Sequence, residues 1–181
     1  MIDLNKIPAR IGYYIAGFVD GEGSFNAVFR PREDYSHYWK VSLCFNVSQK
    51  DKVILSLLKK HLQCGTLRSR MDGVWYYEVN NLNAVLNYII PFFRKFNFLS
   101  AKKKRDFDKF CKLAKLLEAE AQKTKEGLEK ILEIRRNMND GGKRKYSESE
   151  IRSMWKESSE TICQTQTSKA RSDCEDRVRP S

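Results

Sequence analysis

The sequence predicts an α+β fold built on one antiparallel sheet, with helices over one face of the sheet and the other face open. Three observations carry that expectation. Two pairs of segments alternate apolar and polar residues with the two-residue period of half-buried strands. The segments between and after them repeat their apolar residues at helical spacing. The resulting order, α-ββ-α-ββ-α with extra C-terminal helices, is two helix-plus-hairpin units in succession, and such units build sheets with one dry face and one wet face.

Residues 8–20 set Ile11, Ile15, Phe18 and Val19 at helical spacing, Pro8 suits a first turn, and Gly-Glu-Gly at 21–23 ends the helix. Residues 24–30 then alternate Phe25, Ala27 and Phe29 against Ser24, Asn26, Val28 and Arg30. Residues 39–48 alternate Val41, Leu43, Phe45 and Val47 against Lys40, Ser42, Cys44 and Asn46, which completes a long hairpin. From Asp51 a short amphipathic helix carries Val53, Ile54, Leu57, Leu58 and either His61 or Leu62 on one stripe, and Gly65 closes it. Strands at 66–70 and 74–80 flank a Met71-Asp72-Gly73 turn. Helical spacing resumes over 82–96 with a break or kink at Pro91, and two more helices span Ala101–Glu120 and Lys125–Met138.

Asn139-Asp140-Gly141-Gly142 reads as the linker. The organisation is therefore one main domain over 1–140, a basic linker and short capped helix over 141–160, and a tail over 161–181 that is polar, nearly free of Leu and Ile, and expected to be disordered.

Charge points to the partner. The chain of 181 residues carries 34 Lys+Arg against 23 Asp+Glu, a net +11 whose excess lies in the first 145 residues, as in a folded module that meets a polyanion. No run of 18 apolar residues exists and no secretory leader is expected, so a membrane is not the partner. Five cysteines without a C-x-x-C spacing and only two histidines argue against zinc, and suggest reduced thiols in an intracellular compartment. His37, in the hairpin loop, is within reach of a phosphate; His61 is a helix-end residue.

If Phe25, Ala27 and Phe29 face the helices, then Asn26, Val28, Arg30 and, past the proline, Arg32 project from the open face. The partner strand adds Lys40, Ser42 and Asn46. The second hairpin turns Leu67 and either Tyr77 or Val79 inward and sends Arg68, Arg70, Tyr76 and Glu78 outward. Arginine forks onto guanine, asparagine onto adenine, glutamate accepts from cytosine and lysine neutralises phosphate, so this inventory suits reading of a major groove.

The densest patch of unusual chemistry is Ile15-Ala16-Gly17-Phe18-Val19-Asp20-Gly21-Glu22-Gly23. A glycine inside a helix costs roughly 1 kcal/mol against alanine, so Ala16 and Gly17 suggest close approach of another backbone. Asp20 and Glu22 put two carboxylates at a helix C-terminus, where the macrodipole disfavours anions and a bound cation would relieve the conflict.

This stretch, IAGFVDGEG, resembles the LAGLIDADG signature of homing endonucleases, and NVSQK (46–50), CGTLRSR (64–70) and KKKRDF (102–107) are similar to the same family. The resemblance covers about residues 10–140 and includes one copy of the motif. It implies a saddle-shaped sheet over double-stranded DNA and a homodimer whose motif helices pack side by side through Ala16, Gly17 and Asp20. It implies site-specific hydrolysis of phosphodiester bonds on both strands of a long, nearly palindromic site, with Mg²⁺ or Mn²⁺ as cofactor. Glu22 matches the metal-binding acid, with the Gly21 carbonyl assisting; Asp20 matches an acid that is more often a structural partner. Gln49 matches a residue that orders water, and Lys102 or Lys104 a basic residue beside the cleaved phosphate. Glu22 departs from the aspartate that many members carry, but still offers the hard oxygen that Mg²⁺ requires. Such proteins are intron-encoded and work in the bacterial cytoplasm or in an organelle, chloroplast or mitochondrion. The alternative within the fold is a non-cleaving module, an RNA maturase with intron RNA as partner or a DNA-binding regulator.

Overall fold

The computed structural model of the chain describes residues 2–142 and 144–155; the expected tail at 161–181 lies outside them. Helix α1 (Ala9–Glu22) runs directly into strand β1 (Gly23–Pro31), which pairs antiparallel with β2 (Trp39–Gln49). Helix α2 (Lys52–Leu62) leads to β3 (Thr66–Ser69) and β4 (Trp75–Val79), and the four strands form one sheet in the order β1-β2-β4-β3. After the sheet come a helical run of three pieces, then α5 (Ala101–Glu118), α6 (Lys125–Arg136) and α7 (Glu148–Met154). The α+β class and the element order agree with the sequence. No helix among the described residues is long and apolar enough to cross a membrane.

The joint between α1 and β1 explains Gly23. Its N–H donates to the Val19 carbonyl, and a Cβ there would stand 2.4 Å from Val19 Cγ1 and 2.7 Å from the Val19 oxygen. Only glycine lets the helix run on to Glu22, two residues past the expected end, and become a strand without a loop.

Strand alternation then divides the sheet as expected. Phe25, Ala27, Phe29, Leu43, Phe45, Val47, Tyr77 and Val79 are buried beneath the helices. Phe25 is the hub, with the rings of Phe45, Phe93, Phe98, Phe107 and Phe110 at centroid distances between 4.9 and 6.0 Å. Burying one such ring stabilises the fold by about 1.5–3 kcal/mol. This cluster binds the strand after the motif to α5, the helix that carries the lysine run.

Several local expectations are corrected. On α2 the buried stripe is Ile54, Leu55, Leu58 and Leu62, while Val53 is 73% exposed. Pro91 does not break its helix. The run passes from α3 (Leu82–Ala84) through a π-turn (Val85–Ile89) into α4 (Ile90–Lys95), and the carbonyl that Pro91 cannot serve, that of Asn87, accepts instead from Ile2 N–H at 3.1 Å. His37 is no phosphate contact: it is 4% exposed, with its ring stacked on Trp155. The Asn139–Gly142 linker is docked. Trp39 Nε1 donates to the Ile151 carbonyl at 3.1 Å, Ile151 is fully buried, and the one core thus runs past residue 140 to Trp155.

Candidate active site

The motif splits α1 into two faces. Gly12, Ile15, Ala16 and Val19 turn into the chain's own core; Arg10, Tyr13, Tyr14, Gly17 and Gly21 form one exposed stripe. Ala16, expected between two subunits, is 1% exposed within one chain. A Cβ at Gly17 or at Gly21 would meet nothing within 4 Å. The small residues thus leave a shallow open strip on α1, flanked by the exposed Tyr13 and Tyr14.

Asp20 is taken up inside the chain. Its carboxylate accepts from Leu99 N–H (3.1 Å), Ser100 N–H (2.9 Å) and the Ser100 hydroxyl. Desolvation, the largest single influence, pushes its pKa up, but the three hydrogen bonds together with the Lys103 charge outweigh it and hold the carboxyl below its ordinary value. Ser100 is also the N-cap of α5, accepting from Lys103 N–H. Asp20, half-buried, thus joins the foot of α1 to the start of α5.

Glu22, the last residue of α1, is exposed. Of the three consecutive lysines, the structure turns Lys103 toward it. The Lys103 ammonium donates to the Gly23 carbonyl; burial, opposed by the charges of Asp20, Asp106 and Glu22, draws its pKa down. Lys102 points to the other side and pairs with Asp140 at 2.7 Å; Lys104 lines a cleft with Arg94, Asn97 and Asp108. The residue facing the motif is thus neither Lys102 nor Lys104. The sequence held a signal for it: the inward stripe Phe107, Phe110, Leu113 and Leu117 extends backward onto Lys103. Gln49 ends β2, and the Gly23↔Val47 register brings that end of the strand to the foot of α1; its Oε1 accepts from Lys50 N–H at 2.9 Å.

The open face gathers almost the whole expected set. Register pairs Asn26 with Cys44, Val28 with Ser42, Arg30 with Lys40, Asn46 with Glu78, and Arg68 with Tyr76. Arg70, just past β3, lays its guanidinium over the Tyr76 ring at 4.0 Å, and Arg68 pairs with Glu78 at 2.8 Å. Arg32 departs from the set: it stands in the hairpin loop, held by both oxygens of Asp34. Ser24, Ser48, Thr66 and Cys44 share the face; the alternation had placed Ser24 and Cys44 there, but none of the four was in the expected base-reading set. Cys44 is the unexpected one. It is 5% exposed, its thiol donates to Glu78 at 3.3 Å, and burial pushes its pKa to about 11, so it acts as a neutral donor within the polar layer.

Among the described residues no three acidic, histidine or cysteine side chains gather to hold a metal. The donor set near Glu22 is one exposed carboxylate and the last carbonyls of α1, Gly21 among them, at a helix end whose dipole attracts cations. Mg²⁺ and similar ions are commonly held by one or two carboxylates plus substrate phosphates, so this set fits a metal shared with a nucleic acid, not one caged by a single chain.

The profile of the family described as LAGLIDADG endonuclease matches residues 15–114. Among curated proteins, the chain is 29% identical over 140 residues to probable intron-encoded endonuclease 2 of Neurospora crassa, covering 75% of this chain and 31% of that protein. Among solved structures it is similar to the meganuclease I-SmaMI bound to uncleaved DNA target in the presence of calcium ions, with a TM-score of 0.69, 28% identity, and coverage of 78% of this chain and 47% of that one. It is also similar to the homing endonuclease I-TnaI, with a TM-score of 0.69, 29% identity, and coverage of 82% and 95%. The chain thus spans less than a third of the Neurospora protein and just under half of the I-SmaMI chain. With a profile match over more than half of its length, the chain belongs to the LAGLIDADG endonuclease family.

Proposed function

We propose that the protein is a homing endonuclease, encoded within an intron as its Neurospora relative's name says of that protein. It acts as a homodimer that straddles double-stranded DNA with its open sheet faces and hydrolyses one phosphodiester bond on each strand of a long, pseudo-palindromic site. The observation that carries the reading is the placement of the exposed Glu22 at the end of α1 beside the Gly23 carbonyl that accepts from the Lys103 ammonium, at the edge of a polar, arginine-rich sheet face. The homodimer is supported by the exposed Tyr13, Tyr14, Gly17 and Gly21 stripe.

Glu22 and the Gly21 carbonyl would hold the divalent ion, Mg²⁺ or Mn²⁺, against the scissile phosphate. When bound, such an ion favours ionisation of water and offsets charge on the leaving oxygen. Lys103, half-buried and oriented by the Gly23 carbonyl, sets a positive charge beside the phosphate as negative charge builds there. Gln49, whose oxygen is engaged by Lys50 N–H, presents its NH₂ to orient the attacking water. Asn26, Val28, Arg30, Lys40, Ser42, Asn46, Arg68, Arg70, Tyr76 and Glu78 line the groove-facing surface.

The test is Glu22→Gln. Glutamine keeps shape and a carbonyl oxygen but loses the charge that holds the cation, so binding to duplexes selected from a random library should persist while Mg²⁺-dependent cutting disappears. Cutting by Glu22→Gln at near the wild-type rate would overturn the assignment. Wild-type binding without cutting of any duplex would replace the reading with a non-cleaving DNA-binding regulator or a maturase acting on intron RNA.

A further inference from the structure

Asn26 is tethered at both ends of its amide. Its Nδ2 donates to Ser24 Oγ at 2.8 Å, and its Oδ1 accepts from Asn139 Nδ2 at 2.9 Å. One backbone group decides both orientations. Asn139 Nδ2 also donates to the Phe25 carbonyl at 2.9 Å, and only an NH₂ can meet a carbonyl oxygen, so the Asn26 atom that faces Asn139 has to be its own oxygen.

Asn139 is held in turn. Its φ is +51°, a left-handed conformation that asparagine tolerates better than most residues, and its N–H donates to Oδ1 of the buried Asp106 at 3.2 Å. A loop that the sequence presented as a linker therefore reaches across the edge of β1 to set one side chain on the open face.

A side-chain amide has two N–H donors and two acceptor lone pairs. Asn26 has spent one of each, which leaves one donor and one acceptor. In the major groove adenine presents an acceptor, N7, next to a donor, the N6 amino group, whereas guanine presents two acceptors, N7 and O6. What remains of Asn26 complements adenine and would set its oxygen against guanine O6.

We propose that Asn26 reads an adenine in each half-site and that Asn139 is the positioning residue that holds its amide for that reading. The inference rests on the endonuclease reading above, in which the open face lies in the groove. Asn26 follows Glu22 by four residues, about 13 Å at ~3.3 Å per strand residue, which puts the adenine about four base pairs from the cut.

The experiment is selection of bound duplexes from a fully randomised library by the full chain, with Ca²⁺ in place of Mg²⁺. Wild type should enrich a consensus with an A·T pair about four base pairs from the cut on both sides of its centre. Asn26→Ala should lower the adenine-over-guanine preference there about tenfold and leave the remaining positions intact. Asn139→Ala should move the same position in the same direction, with its fold checked by thermal melting. Ser24→Ala, which removes the other tether without touching the β1 edge, should do likewise and serves if Asn139→Ala does not fold. An unchanged preference in Asn26→Ala, or a wild-type consensus without adenine at that position, overturns the inference and leaves the endonuclease reading standing. A change in Asn26→Ala with none in a folded Asn139→Ala or in Ser24→Ala overturns the positioning role. If wild type enriches no consensus at all, both readings fall.

Discussion

Asp20 shows how an acidic side chain within the motif can serve the fold. Its folded pKa is lowered, so the stability it contributes is present above the ordinary aspartate pKa and is lost as pH falls through the lowered value. Asp20→Asn should therefore cost about 1–2 kcal/mol at pH 7, in line with hydrogen bonds to a partly exposed charged group, and much less at pH 3. Urea unfolding at the two pH values checks this; an equal loss at both would show that the negative charge is not the source. Lys103 invites a sharper comparison with its neighbours. Because its ammonium alone among the three turns to the Glu22 end, Lys103→Ala should lower the cleavage rate by ~10²-fold or more with little loss of binding. Lys102→Ala and Lys104→Ala should mainly weaken binding and flatten its salt dependence, as expected of phosphate contacts. Single-turnover cleavage at saturating enzyme separates the two effects.

Two of the three glycines of helix α1 make opposite demands. A Cβ on Gly12 would fall within 2.3 Å of the Phe96 ring, whereas one on Gly17 would enter open space. Gly12→Ala should destabilise the single chain by about 1–3 kcal/mol through overpacking, offset in part by alanine's better helix propensity. Gly17→Leu should leave the melting of one chain unchanged or slightly raised and convert the proposed homodimer to a monomer in sedimentation. A Gly17→Leu protein that still sediments as a dimer would remove this face from the interface. The π-turn in the 82–95 run is the counterpart on the other side of the core. It lets an internal proline stay helical because a hydrogen bond from the N-terminal segment, Ile2 to Asn87, replaces the one that Pro91 cannot make.

Across the molecule, the C-terminal segment guards the edge of the sheet. Strand β1 is an outer strand, and its alternate carbonyls Phe25 and Ala27 accept from Asn139 Nδ2 and Arg135 Nε, which blocks pairing with another strand. Arg135 is 5% exposed, lies against the Phe29 ring, and burial lowers its pKa to about 10. With that edge closed, the surface offered to a groove is the open face itself. Its longest strand, β2, has 11 residues and spans about 36 Å, or ten base pairs, so two copies should protect roughly twenty base pairs. Nuclease footprinting measures this, and protection of fewer than a dozen would exclude two sheets lying side by side in the groove.

Strand alternation, helical period and the IAGFVDGEG motif were sufficient for the class, the element order and nearly the whole open face, because those features depend on neighbours a few residues apart. Asn26, Arg68 and Glu78 were legible for that reason. The sequence could not tell which of Ala16 and Gly17 turns outward, since both are small and the answer depends on which face of α1 the sheet covers. Lys103 was separable from Lys102 and Lys104 only by extending the Phe107, Phe110 and Leu113 stripe of α5 backward, a phase that the Phe25 cluster then fixes against β1. Least legible of all was Asn139. Its side-chain contacts lie more than 110 residues away, and a stretch rich in Asn, Asp and Gly looks like a linker until the packed core brings the edge of a strand against it.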